Sequence, residues 1–568
     1  MIRAAALWLV PVAVCLALYW PGLTVFFQQD DFAWLGLSLG IYSPRDFWRA
    51  MFAPMAQGTI RPWSERAFFM GFYRLFGLDP LPFRIWVFLT QFANLALIAA
   101  ITRRITGSRA AGVWAPLLWI SNSVLISVMT WSSGYNQALC AFFLLSAFYC
   151  FLRGWYGRQW IAFLLGFGAL EINVVYPALA TSYALLLDRP RWKKTLPLWL
   201  PSIAYTLLHR SLAPKVAGGP YLMHLDASIF TTLGKYWLWS LGPIRLENIT
   251  TPPAWLAPLA SALLTAGLAW WVAQSLRRQD RKPLFFLAWF LLTLAPVLPL
   301  RDHASDYYLT IPSIGLAMLV GQAAWTANRI VSSLLILVYL GFSLPVARTA
   351  ARWSNIRSHR IERMLAGVAR ARQLHPDKLI LLHGVNDELF YTGILDKPFR
   401  LIGVADVYLT PESAERITPK PELGFVTDYV LPQGPTLAGL AQGRIVVYEV
   451  GGERLKNITR LYEATSPLQL KAEEPRRVDV GNPLLAYLLG KSWHAREAAY
   501  RWMPGRATVR IGGPRTARER LYITGYYPAE QLEKGPVHVR VSVDGQPLPE
   551  STVQRGMERF DFDYVLPA

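Results

Sequence analysis

The chain has little cysteine, a shortage of acid and no visible internal repeat, and each absence closes off a class of protein. Three cysteines occur in 568 residues, Cys15, Cys140 and Cys150. All three lie inside apolar runs, so neither a disulfide framework nor a zinc site is expected. Asp and Glu number 37 against 57 Lys and Arg, a formal net charge of +20. The basic residues fall in short clusters between apolar runs, which suits membrane topology and anionic headgroups better than nucleic acid. No period of 34 residues or similar length recurs, so a solenoid is not expected. Charged residues make up only 17% of the chain, whereas 53% is hydrophobic and 23 positions are Trp. With a mean hydropathy of +0.26 and repeated apolar runs near spanning length, the composition is that of a multi-pass membrane protein.

The first run, residues 4–25, ends on FFQQDDF, where Asp30 and Asp31 stand side by side. No small-residue cleavage site precedes this pair, so the run reads as a retained anchor. A stretch rich in Arg and aromatics follows, roughly 28–82, with the periodicity of helices lying in the interface. Further spans are expected at 85–101 and 110–129, and the short WSSGYNQ turn leads into a fourth that ends near Leu152. The segment 160–187 is too long for one upright helix and is interrupted at LEINVVYP, so two shorter helices should meet at Glu171. Later spans fall at 196–212, 255–276, 284–300, 307–325 and 330–346, giving about ten or more in all. A Gly-, Pro- and Trp-rich stretch between the first two of these has no secure placement.

The basic loops TRRITGSR, RGWYGRQ, DRPRWKK and SLRRQDRK fall on one side if the N-terminus is cytoplasmic. Asp30, Asp31, the turn at 131–136, Glu171 and the loop RDHASD then share the opposite face. The expected setting is a bacterial inner membrane with everything beyond Arg348 periplasmic. The basic residues Arg352, Arg357, Arg360 and Arg363 sit awkwardly with that assignment, although long trailing domains follow the charge rule weakly. Three regions are expected: a transmembrane domain (1–348), a small α/β module (349–476) and a β-sandwich (477–568). The last is read from alternating strands such as RERLYITGYYP and GPVHVRVSVDG separated by turns. Its Trp493, Trp502, Tyr526 and Tyr527 offer stacking faces to carbohydrate, although such residues are more often packing elements.

Ionisable residues near membrane depth are costly and tend to be functional. An acidic pair beside an apolar helix is commonly only a solvated flank, but here it shares a face with Arg61, Glu171, Arg301, His303, Asp306 and Tyr307. Glu171 directly follows an apolar run and needs a partner or a water-filled cavity. Arg301 and His303 lie at the mouth of a span and suit a phosphate, Arg by its bidentate fork. The plainer alternatives are a headgroup anchor for Arg301, an exposed loop residue for His303 and the interfacial aromatic belt for Tyr307.

The ordered set FFQQDDF, RPWSERAFFMGFYRLFGLDPLPFR, WSSGYNQALCAFFLLSAFYCFLR, the Glu171 segment and DHASDYYLTIPSIGLAM resembles the GT-C superfamily of membrane glycosyltransferases. Within it, the chain is similar to the transmembrane O-mannosyltransferases that carry tetratricopeptide repeats, and to their bacterial relatives. The likeness covers residues 26–318. It implies a polyprenyl-phosphate sugar donor, membrane lipid as surroundings, and a glycan, lipid or protein acceptor on the extracytoplasmic side. The family's acidic pair falls on Asp30 and Asp31, its RP motif on Arg61, its intramembrane glutamate on Glu171 and its late basic or tyrosine-rich segment on residues 301–308. Asp30 is then the base, while Asp31 orients the acceptor or holds a divalent metal, the only cofactor in view. Arg61, Arg301, His303 and Tyr307 hold the donor phosphate, and Glu171, Asn136 and Asp306 line the cavity. The chain departs from the family in lacking the repeats and in carrying Leu170 where a Lys is usual. Two other readings remain open: a transporter or flippase of lipid-linked saccharide, for which internal repeats would be expected, and a non-catalytic envelope scaffold.

Overall fold

A computed structural model describes residues 2–55, 58–213, 219–420, 423–452, 454–465, 475–490, 492–497, 500–514, 516 and 519–566. Its first two-thirds is helical, and its longer helices are bounded by the expected local chemistry. The helix Pro80–Thr106 starts with Asp79 accepting from Leu81 N at 3.0 Å and Pro80 in its first turn. It stops at Gly107, whose φ of +74° is a left-handed cap that suits glycine. At 27 residues it is roughly 40 Å long, enough to cross a bilayer.

Among the described residues, four helices are long and apolar enough to cross a membrane: Pro80–Thr106, Tyr135–Arg153, Leu256–Arg277 and Arg329–Leu374. A fifth is reached if Arg109–Ile120 and Ser123–Thr130, bent by 57°, count as one span. The ten or more expected from hydropathy do not appear at that length, because breaks cut several apolar runs. Asn122 divides one run by capping the next turn through Val124 N at 3.1 Å. The segment 160–187 divides as the sequence implies, into Tyr156–Gly166, a 3-10 turn at Glu171–Val175 and Tyr176–Leu187. Leu9–Leu23 and Lys282–Val297 are further short apolar helices.

The boundary drawn at 348/349 falls inside one continuous 46-residue helix, Arg329–Leu374. Its length, roughly 69 Å, is about twice what a bilayer core requires. The second half therefore projects beyond the span, where its arginines find local work. Arg357 donates to Gln28 Oε1 at 3.1 and 2.6 Å and stacks over Trp353.

Beyond this helix, β1 (Leu379–His383) lies between β2 (Val407–Leu409) and β3 (Ile445–Glu449), all parallel, with β4 (Lys456–Asn457) antiparallel to β3. The run LILLH is buried for four of its five residues, as a central parallel strand requires. The module does not hang free. Its Ile380, Leu382, Phe390, Ile394 and Phe399 share one apolar cluster with Phe26, Phe27, Phe32, Phe68 and Phe69 of the membrane domain. At the C-terminus the strands form two-stranded antiparallel pairs among the described residues, Arg520–Tyr526 with Arg559–Val565 being the longest. Strands are present as expected, and the pairs Arg520–Tyr526/Arg559–Val565 and Val537–Val539/Ser551–Val553 contribute to one apolar cluster.

Candidate active site

The acidic pair sits in a loop fixed from every side. Gln28 donates to Thr130 O at 3.0 Å, Phe26 N to Ser358 Oγ at 3.1 Å and Gln29 N to Thr392 O at 2.6 Å. Gln29 itself takes the left-handed φ of +55° that turns the chain into the helix Asp31–Gly36. The two aspartates then part company. Asp31 is fully buried; its Oδ1 accepts from Ser133 N at 2.7 Å and Ser133 Oγ at 2.6 Å, and its Oδ2 from Gln28 N at 3.1 Å. Asp30 occupies the N-cap position yet makes no capping bond with its side chain, and its Oδ1 is buried with no hydrogen-bond partner.

Burial pushes the Asp30 carboxyl well above the usual range, and the negative charges of Asp31, Asp396 and Glu65 push it further, with Ser133 offsetting part of the rise. Asp31 is raised by burial to about 6, held there against the lowering effect of its Ser133 and Gln28 bonds. One carboxylate is therefore committed to structure, and the other keeps a buried oxygen without a hydrogen-bond partner. The expectation that Asp31 orients an acceptor or holds a metal does not fit this geometry, since both its oxygens are taken by protein donors. Among the described residues, no group of three His, Cys, Asp or Glu is placed to hold a metal ion.

Arg61 and Glu171, distant along the chain, meet in a bidentate pair. Arg61 Nε lies 2.9 and 3.0 Å from the two Glu171 oxygens, and Nη2 lies 2.8 Å from Oε2. Arg61 Nη1 also donates to Glu65 Oε1 at 2.5 Å, and Asn136 Nδ2 reaches the same oxygen at 3.4 Å. The backbone explains the meeting. The π-helical turn Pro62–Ala67 is stitched to the break before Glu171 by Trp63 N to Gly168 O at 3.0 Å and Ser64 Oγ to Ala169 O at 2.7 Å. Gly168 is required there, because a Cβ would lie 2.2 Å from Trp63 Nε1. A guanidinium has five N–H donors; these contacts leave one on each Nη for an incoming anion, and the Arg61 side chain remains 20% exposed.

An aromatic wall completes the site. The Tyr221 ring stands 4.3 Å from His303, Tyr307 lies 4.6 Å from Tyr308 and 6.1 Å from Trp131, and His303 Nε2 is 3.2 Å from Tyr307 Oη. Burial raises the Tyr221 phenol to about 12 and raises Tyr307 as well, and the charges of Asp30 and Arg61 act on both rings. Burial lowers the His303 pKa, which favours the uncharged ring. Arg301 is half-exposed, 3.8 Å from Asp226 and 3.6 Å from Asp302. Asp306 is an anchor, bound by Arg245 Nη2 at 2.5 Å and Ser127 Oγ at 3.2 Å.

The structure thus gathers Asp30, Arg61, Glu171, Asn136, His303 and Tyr307, and leaves Arg301 among surface acids. Sequence reasoning missed Glu65, Ser133, Tyr221 and Asp396. Glu65 and Ser133 lie within motifs already singled out, RPWSER and WSSGYNQ. Tyr221 lies in the unplaced Gly/Pro-rich stretch, and nothing local marks Asp396.

No protein-family model and no curated protein matches the chain. Among solved structures, it is similar to ArnT from Cupriavidus metallidurans in the apo state, at 14% identity and a TM-score of 0.42, covering 82% of this chain and 96% of that one. It is also similar to the same protein bound to undecaprenyl phosphate (14% identity, TM-score 0.38, 81% and 94% covered). A third is an Archaeoglobus fulgidus oligosaccharyltransferase tethered with an acceptor peptide (10%, 0.40, 79% and 68%). At such identities and TM-scores the likeness carries no argument, and function has to be read from the side chains.

Proposed function

We propose that the chain is an integral membrane glycosyltransferase that moves a sugar from a polyprenyl-phosphate donor to an acceptor hydroxyl on the extracytoplasmic face. In this reading the N-terminus is cytoplasmic and the units beyond the long helix are periplasmic. Asp30 takes the hydroxyl proton as the acceptor oxygen bonds to the anomeric carbon. The bond from that carbon to the phosphate oxygen breaks, and the lipid phosphate leaves with the electron pair. A single displacement of this kind inverts configuration. The unused N–H groups of Arg61 meet the charge developing on the leaving phosphate, in a site where low dielectric strengthens the contact. Glu65 and Glu171 hold that guanidinium in place, and Tyr221, Tyr307 and Trp131 give the sugar a wall to pack against.

The observation that carries this reading is the division of labour between neighbours: Asp31 satisfied on both oxygens, Asp30 buried with Oδ1 bare. The test is transfer by purified, reconstituted protein from a panel of radiolabelled polyprenyl-phosphate sugars. Asp30→Asn should lose about a hundredfold to ten-thousandfold in rate while melting at or above the wild-type temperature, since the substitution removes a charge from a crowded site. A near-normal rate in that variant would remove the assignment of the base.

A further inference from the structure

The terminal strand pair presents a face that the transfer reading does not use. Arg520–Tyr526 and Arg559–Val565 run antiparallel in the register Tyr526↔Arg559, Thr524↔Asp561, Tyr522↔Asp563 and Arg520↔Val565. The pleat sends alternate residues to opposite sides. Leu521, Ile523, Phe560, Phe562 and Tyr564 turn inward onto Val553 and Leu532. Tyr522 and Tyr526 are therefore forced outward, and they are 67% and 56% exposed. Tyr527, which the sequence offers as a stacking face, packs instead against the inner cluster.

The outer face has an order to it. Two tyrosine rings stand four residues apart on one strand, roughly 13 Å at the usual rise. Between them lies the cross-strand pair Thr524 and Asp561, a hydroxyl beside a carboxylate. Arg559 stands opposite Tyr526, and Arg520 Nε is held by Asp563 Oδ1 at 2.5 Å. No hydrogen bond engages the side chains of Tyr522, Thr524, Tyr526, Arg559 or Asp561 among the described residues.

A single exposed tyrosine on a strand needs no explanation beyond its β-propensity. The combination here asks for more. A protein partner would want an apolar centre, whereas the centre of this face is Thr524 and Asp561. A polyanion or polycation would meet like charge, because two arginines and two aspartates cancel. An uncharged, hydroxyl-rich ligand meets neither objection: its ring faces stack on tyrosine, and its hydroxyls pair with Asp561, Thr524 and Arg559. We propose that this face is a platform for an uncharged oligosaccharide chain, gripped by Tyr522 and Tyr526 with Asp561 and Arg559 reading the hydroxyls between and beside them.

The test needs no donor lipid, so its result and that of the transfer assay stand apart. Full-length protein in detergent is passed over immobilised neutral hexasaccharides (β-1,4-glucose, β-1,4-N-acetylglucosamine and α-mannose) and a polygalacturonate hexasaccharide. At least one neutral chain should bind, more tightly than the polyuronate. The double variant Tyr522→Ala/Tyr526→Ala should weaken that binding about tenfold or more, with the melting temperature unchanged because both rings lie on the solvent face. Trp493→Ala, outside the platform, should stay within about twofold of the wild type. Absence of binding to every neutral chain, preference for the polyuronate, or undiminished binding by the double variant would each overturn the platform.

Discussion

The α/β module and the terminal strand unit follow the same membrane domain on one chain, yet they are held by opposite means. The module shares its core with the loop that carries Asp30 and Asp31: Ile394 and Phe399 pack in one cluster with Phe26, Phe32 and Phe68. Thr392 O accepts from Gln29 N next to the aspartates, Leu401 O accepts from Tyr73 Oη at 3.5 Å, and Arg400 lies so close to Gly36 that a Cβ there would touch it. The strand unit has a cluster of its own, Leu532, Val553, Phe562 and Tyr564. A unit welded into the core of a site can shape the chemistry of that site directly. A unit with a private core acts through the surface it presents.

The sharpest way to break this comparison is to remove one buried ring from each unit. Phe399→Ala should destabilise by about 3–5 kcal/mol and should lower transfer along with stability, because the cavity opens beside the loop that sets Asp30. Phe562→Ala removes a ring of the same kind (6% and 8% exposed respectively) but should loosen only the terminal strands and leave transfer to a small soluble acceptor near wild type. Thermal melts and transfer rates measured on both variants decide it. Equal losses of transfer would mean that the two units are welded alike.

Much of the membrane half was legible because its signals are local. The break at Glu171 follows from a charge and a proline inside an apolar run, and the division of that run into two short helices is what the structure contains. Counting basic loops leads to the expectation that Asp30, Arg61 and Glu171 share one face. The partners that decide what each group does were not legible, since they are long-range. Nothing near FFQQDDF says that Ser133 will occupy Asp31 Oδ1 while Asp30 Oδ1 stays without a hydrogen-bond partner. Nothing near Leu395 says that Asp396 will press on Asp30, because that contact depends on a 46-residue helix bringing the module back to the first loop. The strand alternation at the C-terminus was readable, but hydrophobic period alone does not say which strands pair. The pairs observed are Arg520–Tyr526 with Arg559–Val565 and Val537–Val539 with Ser551–Val553.

Asp396 supplies a second, smaller test of the weld. Its charge is one of the influences that raise the Asp30 pKa, after burial and Asp31 and alongside Glu65. Asp396→Asn should therefore lower the Asp30 pKa and carry the acidic limb of the transfer pH profile to lower pH, with little change at the plateau. Stability follows the same sign. A carboxyl raised in the folded state binds more protons there than in the unfolded chain, so stability falls as pH climbs from the unfolded towards the folded value. Removing Asp396 narrows that window, and the melting temperature should depend less on pH across it. An unmoved acidic limb would show that the module braces the loop without tuning it.

The smallest effect is expected from stopping the chain after Gly513, which removes the strand unit with its private core. Transfer to a small soluble acceptor should stay within about twofold, the range of ordinary surface changes, while affinity for neutral oligosaccharides is lost. The two readouts pull apart only if acceptor capture and bond formation reside in different units. A truncated chain that loses both would place the strand unit inside the catalytic assembly after all. A chain that keeps both would move oligosaccharide binding away from Tyr522 and Tyr526.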